Sequence, residues 1–281
     1  MYKLGINFDE ISPDLTTAIT VMRGLGIARG ELRTLGHKNF VFWSDEEVTR
    51  FKQAMTDAEI SVVAAATPLF KWYARPSDQE IKHDSFGFNP RLEESEKKQM
   101  IARTIEIATA LEIPRLRIFS GLGRDEAAGE HFAADPLLAS ALALADRYGI
   151  DLYVENEPVC VVHSQKELLN LFNHQKHPRL KLWLDIANLM EVGDKVDDAF
   201  LAQVSDRLGY VHIKDFTLVD DRPSYVPVGR GIIPYGEILQ RIHSLAVKDL
   251  VFTVETHAKT NRVEASVHSV LATQKLLNGL Q

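Results

Sequence analysis

Four residues in the second half of the chain have the makings of a divalent-metal site: Glu155, Asp185, His212 and Glu255. Each closes a short apolar run, in YVE, LWLD, YVH and FTVE, and they stand 30, 27 and 43 residues apart. Three carboxylates and one imidazole suit a hard or borderline cation. Mn²⁺ and Mg²⁺ fit the oxygens, and the imidazole keeps Zn²⁺ and Co²⁺ open. Taken singly, each acid reads most simply as a solvated strand end, and His212 as a hydrogen-bonded core residue. The stretch LYVENEPV, from Leu152 to Val159, argues against that reading. Its apolar start is built for burial, yet it ends on Glu155 and Glu157, and acids beside an apolar interior need a compensating positive charge. Glu157 competes with Glu155 as a ligand but lies beyond the run, beside Pro158, and ranks second.

For these residues to meet, the elements that carry them must converge. Apolar runs rich in β-branched residues recur at KLGIN (3–7), RGELRT (29–34), SVVAAAT (61–67), RLRIFSG (115–121), DLYVEN (151–156), KLWLDIA (181–187), GYVHIKD (209–215) and LVFTVET (250–256). Between them, apolar residues recur at helical spacing, as in Leu15-Ile19-Met22, Val48-Phe51-Met55, Met100-Ile101-Ile105 and Ile238-Leu239-Ile242. Strand and helix alternate, which predicts βαβ units and a parallel sheet. Eight units are the number that closes an α/β (β/α)8 TIM barrel, whose strand C-terminal ends share one catalytic face. A doubly wound open sheet would bring a glycine-rich phosphate turn after its first strand, where this chain reads NFDEISPDL. The expectation is therefore one domain over 1–281.

One connection exceeds the usual length. PLFKWYARPSDQEIKHDSFGFNPR, about 68–91, has no helical period and carries Phe70, Trp72, Tyr73, Phe86 and Phe88. A loop of this kind after the third strand predicts a lid over the mouth, with Trp72 available to pack on a sugar ring. Its aromatics would equally serve to tie the loop to the barrel.

The totals narrow the function classes. With 45% hydrophobic and 25% charged residues, the 281-residue chain has the composition of an ordinary globular protein. Its net charge of -7, without a basic block, argues against a nucleic-acid surface. A single cysteine, Cys160, excludes a disulfide framework and a CxxC metal site. No apolar stretch reaches about 20 residues, so no membrane span is expected. The first residues lack a secretory h-region, and a cytoplasmic location is the expectation.

In this order, YVEN, LWLDIAN, VHIKD, VPVGRGIIPYGEIL and FTVETH resemble the xylose-isomerase-like TIM barrels. That superfamily includes ketose 3-epimerases, hydroxypyruvate isomerase, inosose dehydratase and endonuclease IV. The resemblance implies one divalent ion held by Glu155, Asp185, His212 and Glu255, with both glutamates also moving protons. It implies a sugar or sugar-phosphate substrate, a homodimer or homotetramer, and a glycine-rich turn, Gly229 to Tyr235, leading into the last helix. Two departures stand out. Many relatives carry Asp-x-x-His after the sixth strand, where this chain has Asn188, able to hydrogen-bond a hydroxyl but not to carry a proton. The extra histidines of a three-zinc phosphodiesterase are not evident at the strand ends.

The residues then suggest a mechanism. A cation would favour an enediolate, and Glu155 and Glu255, from non-adjacent strands, would exchange protons on opposite faces of a ketone. Lys214, two residues after His212, would bind an oxyanion, phosphate or carboxylate, as would Arg33. Epimerisation or isomerisation is the leading expectation. A dehydratase of the inosose kind and a non-catalytic carbohydrate-binding barrel are the alternatives.

Overall fold

The computed structural model describes residues 2–75, 87, 89–124 and 128–280. Eight parallel strands follow one another round a closed barrel: β1 (Lys3–Asn7), β2 (Arg29–Leu32), β3 (Ser61–Ala66), β4 (Arg115–Ile118), β5 (Asp151–Glu155), β6 (Leu180–Asp185), β7 (Leu208–Ile213) and β8 (Val251–Val254). β8 closes the circle against β1, with Lys3 opposite Val251 and Ile6 opposite Val254. Each strand coincides with one of the eight apolar runs in the sequence.

The runs at 29–34 and 115–121 are longer than the strands they contain. β4 stops at Ile118 because the chain beyond it pairs with the loop after β3 rather than with β5. Phe119 N donates to Leu69 O, Gly121 N to Phe70 O and Leu122 N to Trp72 O. That pairing fixes residues 69–73 at the mouth. Residues 76–86 and 88 of the expected 68–91 lid, Phe86 and Phe88 among them, lie outside the described residues.

The helices lie where the periodicity places them, at Leu15–Gly24, Asp45–Ala58, Glu94–Ala110 and Tyr235–Ser244. Asp45–Ala58 begins on a Ser44–Glu47 capping box and buries Val48, Phe51 and Met55 against the barrel. The turn Gly229 to Tyr235 leads into Tyr235–Ser244, which is followed by β8 and a further helix, Arg262–Asn278, so it does not open the last helix. Among the described residues, no helix is long and apolar enough to cross a membrane.

Two cores result. A large one lies between strands and helices. A small one fills the barrel, where Tyr153, Trp183 and Tyr210 pack with Ala64 and Val251. The Trp183 and Tyr210 rings lie 3.7 Å apart between centroids. Three bulky rings beside small residues close the lumen, as a packed barrel requires. They are the floor on which the site stands.

Candidate metal centre

Side chains on a strand alternate between faces, so a residue two positions beyond an inward one is also inward. Stepping by two from the aromatic floor leads directly to the mouth. Tyr153 is followed by Glu155 and Glu157, Trp183 by Asp185, and Tyr210 by His212 and Lys214. On β8, Val251 is followed by Thr253 and Glu255. Register completes the meeting, since Asp185 lies opposite His212 and His212 opposite Thr253.

Glu155, Asp185, His212 and Glu255 are all buried, and one ligand atom from each lies within 4.8 Å of the other three. His212 Nδ1 sits at the centre, 3.1 Å from Glu155 Oε1, 3.3 Å from Glu255 Oε2 and 3.7 Å from Asp185 Oδ2. Despite these approaches, His212 Nδ1 and Asp185 Oδ2 make no hydrogen bond. A buried ring nitrogen without a hydrogen bond is costly, and one ringed by three carboxylates fits a cation they would share. The donor set matches: three carboxylate oxygens and an imidazole nitrogen.

Basic side chains balance the cluster. Lys214 Nζ lies 2.8 Å from Asp185 Oδ2 and 3.3 Å from Glu255 Oε2. Arg117 on β4 pairs with Glu155 Oε2 at 3.0 Å. Arg33, just past β2, reaches Glu255 Oε1 at 2.8 Å and also Asp9 and Glu10. Burial alone would push the acids up. For Glu155 it is outweighed by Arg117 and His212, for Asp185 by Lys214 and His212, and both carboxyls are held below their usual range. Glu255 is driven well below that range by His212, His257 and Lys214. Burial opposes charge on His212, but Glu31 and Glu255 raise its pKa well above the ordinary imidazole value.

The remaining expected residues take varied positions. Asp185 caps the short helix that carries Asn188, its Oδ1 accepting the Asn188 backbone N–H, and Asn188 Nδ2 lies 3.4 Å from Glu157 Oε2. Glu157 in turn pairs with the buried Lys71 at 3.1 Å, across the mouth from Lys214. Arg33 is engaged by three carboxylates, those of Asp9, Glu10 and Glu255. Trp72 stacks on Phe70 and lines a separate cavity of about 850 Å³ that contains none of the four clustered residues.

Lys214 is held from behind. Its backbone N donates to the Tyr235 hydroxyl, which donates in turn to the Lys214 carbonyl. The next residue, Asp215, receives the backbone N–H groups of Gly229, Gly231 and Ile233 at 2.9–3.3 Å. The glycine-rich turn therefore wraps one carboxylate, and a side chain at Gly231 would put its Cβ 2.0 Å from Asp215 Oδ1.

Four participants were not found from sequence: Arg117, Glu31, Glu10 and His257. The period of two carried a signal for His257, which follows Glu255 by one inward step. Glu10 lies on a helical turn after β1, where no strand pattern points to it.

Comparison with known proteins comes from sequence and from structure. The family profile described as xylose isomerase-like TIM barrel matches residues 23–276. No curated protein sequence matches the chain. Among solved structures, a probable 3-DHS dehydratase, AsbF, from Bacillus anthracis is similar with a TM-score of 0.74 and 14% identity, covering 97% of this chain and 98% of its own. The IOLI protein with a bound zinc atom gives 0.77 and 17%, covering 99% of each chain. D-psicose 3-epimerase from Clostridium cellulolyticum H10, solved with D-tagatose, gives 0.72 and 15%, again covering 99% of each. At these identities the likeness concerns the fold.

Proposed function

Given that the chain belongs to the xylose isomerase-like TIM barrel family, we propose that it is a divalent-metal-dependent isomerase or epimerase of a small sugar, sugar phosphate or polyol ketone. One observation carries the reading: a buried His212 Nδ1 without a hydrogen bond, surrounded by three carboxylates from three other strands. Glu155, Asp185, His212 and Glu255 would hold the ion. When bound, it supplies Lewis-acid charge that lowers the cost of an enediolate.

The chain's own groups do the rest. Glu155 ends β5 and Glu255 lies one residue past β8, on opposite sides of His212. One, as the carboxylate, takes the carbon-bound proton; the other, after picking up a proton from solvent, returns that proton to the same carbon in an epimerase or to its neighbour in an isomerase. Arg117 and Arg33 aim these carboxylates, each gripping the oxygen turned away from His212. Lys214, whose ammonium stands beside Asp185 and Glu255, would face a substrate oxyanion, and Asn188 a hydroxyl. Trp72 would contribute only through the loop it anchors.

The test is exchange in deuterium oxide. Metal-reconstituted protein is incubated with a panel of ketoses and their phosphates and followed by NMR. Deuterium at a hydroxyl-bearing carbon, with the skeleton intact, is the expected result. Loss of water from the substrate would turn the reading to a lyase on the same ligands. A loaded protein that leaves every ketone untouched would overturn it.

A further inference from the structure

Beneath the three acids and the histidine of the cluster lies a further acid that no ligand role explains. Glu31 points inward from β2 and is fully buried. Its Oε2 lies 2.9 Å from His212 Nε2 and accepts the Tyr210 hydroxyl at 2.8 Å. Its Oε1 accepts from Asn7 Nδ2 at 3.0 Å. Both oxygens thus accept, from residues on β1 and β7. The amide of Asn7 is itself oriented, because its Oδ1 accepts the Asp9 N–H at 3.2 Å.

We infer that Glu31 is a positioning residue that dictates which nitrogen of His212 faces the cation. The inference rests on the metal reading above and carries it one layer deeper into the barrel. A carboxylate that already accepts from Tyr210 and Asn7 offers His212 an acceptor and no donor, so the hydrogen of the neutral ring belongs on Nε2. The lone pair then lies on Nδ1, the nitrogen surrounded by Glu155, Asp185 and Glu255. The ring has little freedom to turn over, since Trp183 packs edge-on against it at 4.9 Å between centroids. A negative charge behind the imidazole also makes Nδ1 a stronger donor to a cation. A side chain that only filled the lumen would need neither charge nor acceptor here, and an apolar residue would avoid burying a carboxylate.

The experiment uses the full chain, stripped of metal and titrated with Mn²⁺, alongside Glu31→Gln and Glu31→Leu. Zinc-loaded wild-type protein is also examined by long-range ¹H–¹⁵N NMR of its histidines. The expected outcome is a hydrogen on Nε2 of His212. Glu31→Leu should lose about 10–100-fold in Mn²⁺ affinity at unchanged far-UV circular dichroism. Glu31→Gln, whose amide oxygen still accepts, should recover part of that loss. Wild-type affinity in Glu31→Leu, or a hydrogen found on Nδ1, would overturn the inference. Should Glu31→Leu fail to fold, the near-isosteric Glu31→Gln and the wild-type tautomer decide it. Wild-type protein that takes up no ion would sink this inference together with the metal reading, whereas equal uptake by wild type and Glu31→Leu sinks this inference alone.

Discussion

Glu155 and Glu255 are each held between an arginine on one oxygen and His212 near the other. Their amide variants keep volume and shape while removing the charge. Glu155→Gln and Glu255→Gln are each expected to lower the deuterium-exchange rate by about 10²–10⁴-fold, the usual contribution of a positioned acid or base. Circular dichroism should show the fold retained, because Arg33 keeps Asp9 and Glu10 as partners when Glu255 is neutral. Unaltered exchange in both variants would remove them from the chemistry. All four clustered residues could be read in the sequence, because each ends an apolar run. Arg117 and Glu31 could not. Inside RLRIFSG and RGELRT a charged residue looks like a strand touching water, and only closure of the barrel turns those positions into a sealed lumen where each acid meets its counter-charge or donor.

At the scale of elements, strand order and number were legible because a parallel barrel strand is buried on both faces and reads as a dense apolar run. Strand ends were less legible. Whether residues 119–121 continue β4 depends on the backbone of residues 69–72, fifty positions away, and no local pattern records that. The glycine-rich turn was visible as a motif, but its purpose was not. It encloses Asp215, and through Tyr235 it braces Lys214. Gly231→Ala should therefore cost about 2 kcal/mol, as overpacking does. Gly236→Ala, five residues on, should cost nothing or add about 0.5 kcal/mol, since its Cβ would meet no atom within 4 Å and helix propensity favours alanine. Urea unfolding of the pair separates the two cases, and equal stabilities would show that the turn tolerates a side chain.

For the whole molecule, three carboxylates at one mouth are a mutual repulsion that Lys214, Arg117 and Arg33 only partly offset, so a bound cation should stabilise the fold. At a free concentration about 100 times Kd the gain is about 2.7 kcal/mol, and in a chain of this size that raises Tm by about 5 °C. Calorimetry before and after chelation, with Mn²⁺ restored, measures it, and an unchanged Tm would show that nothing binds. Ring closure has another result, concerning strangers rather than substrates. Because every barrel strand has a neighbour on both sides, the barrel presents no bare margin to which a foreign backbone could add. Among the described residues, open edges remain on the short ladder of Thr34–Leu35 with Lys38–Asn39 and on the hairpin of Asp215–Val219 with Arg222–Val226, and on the hairpin Leu218 and Val219 stand exposed. There, Asp220 and Asp221 at its tip set two like charges in the way of an approaching copy.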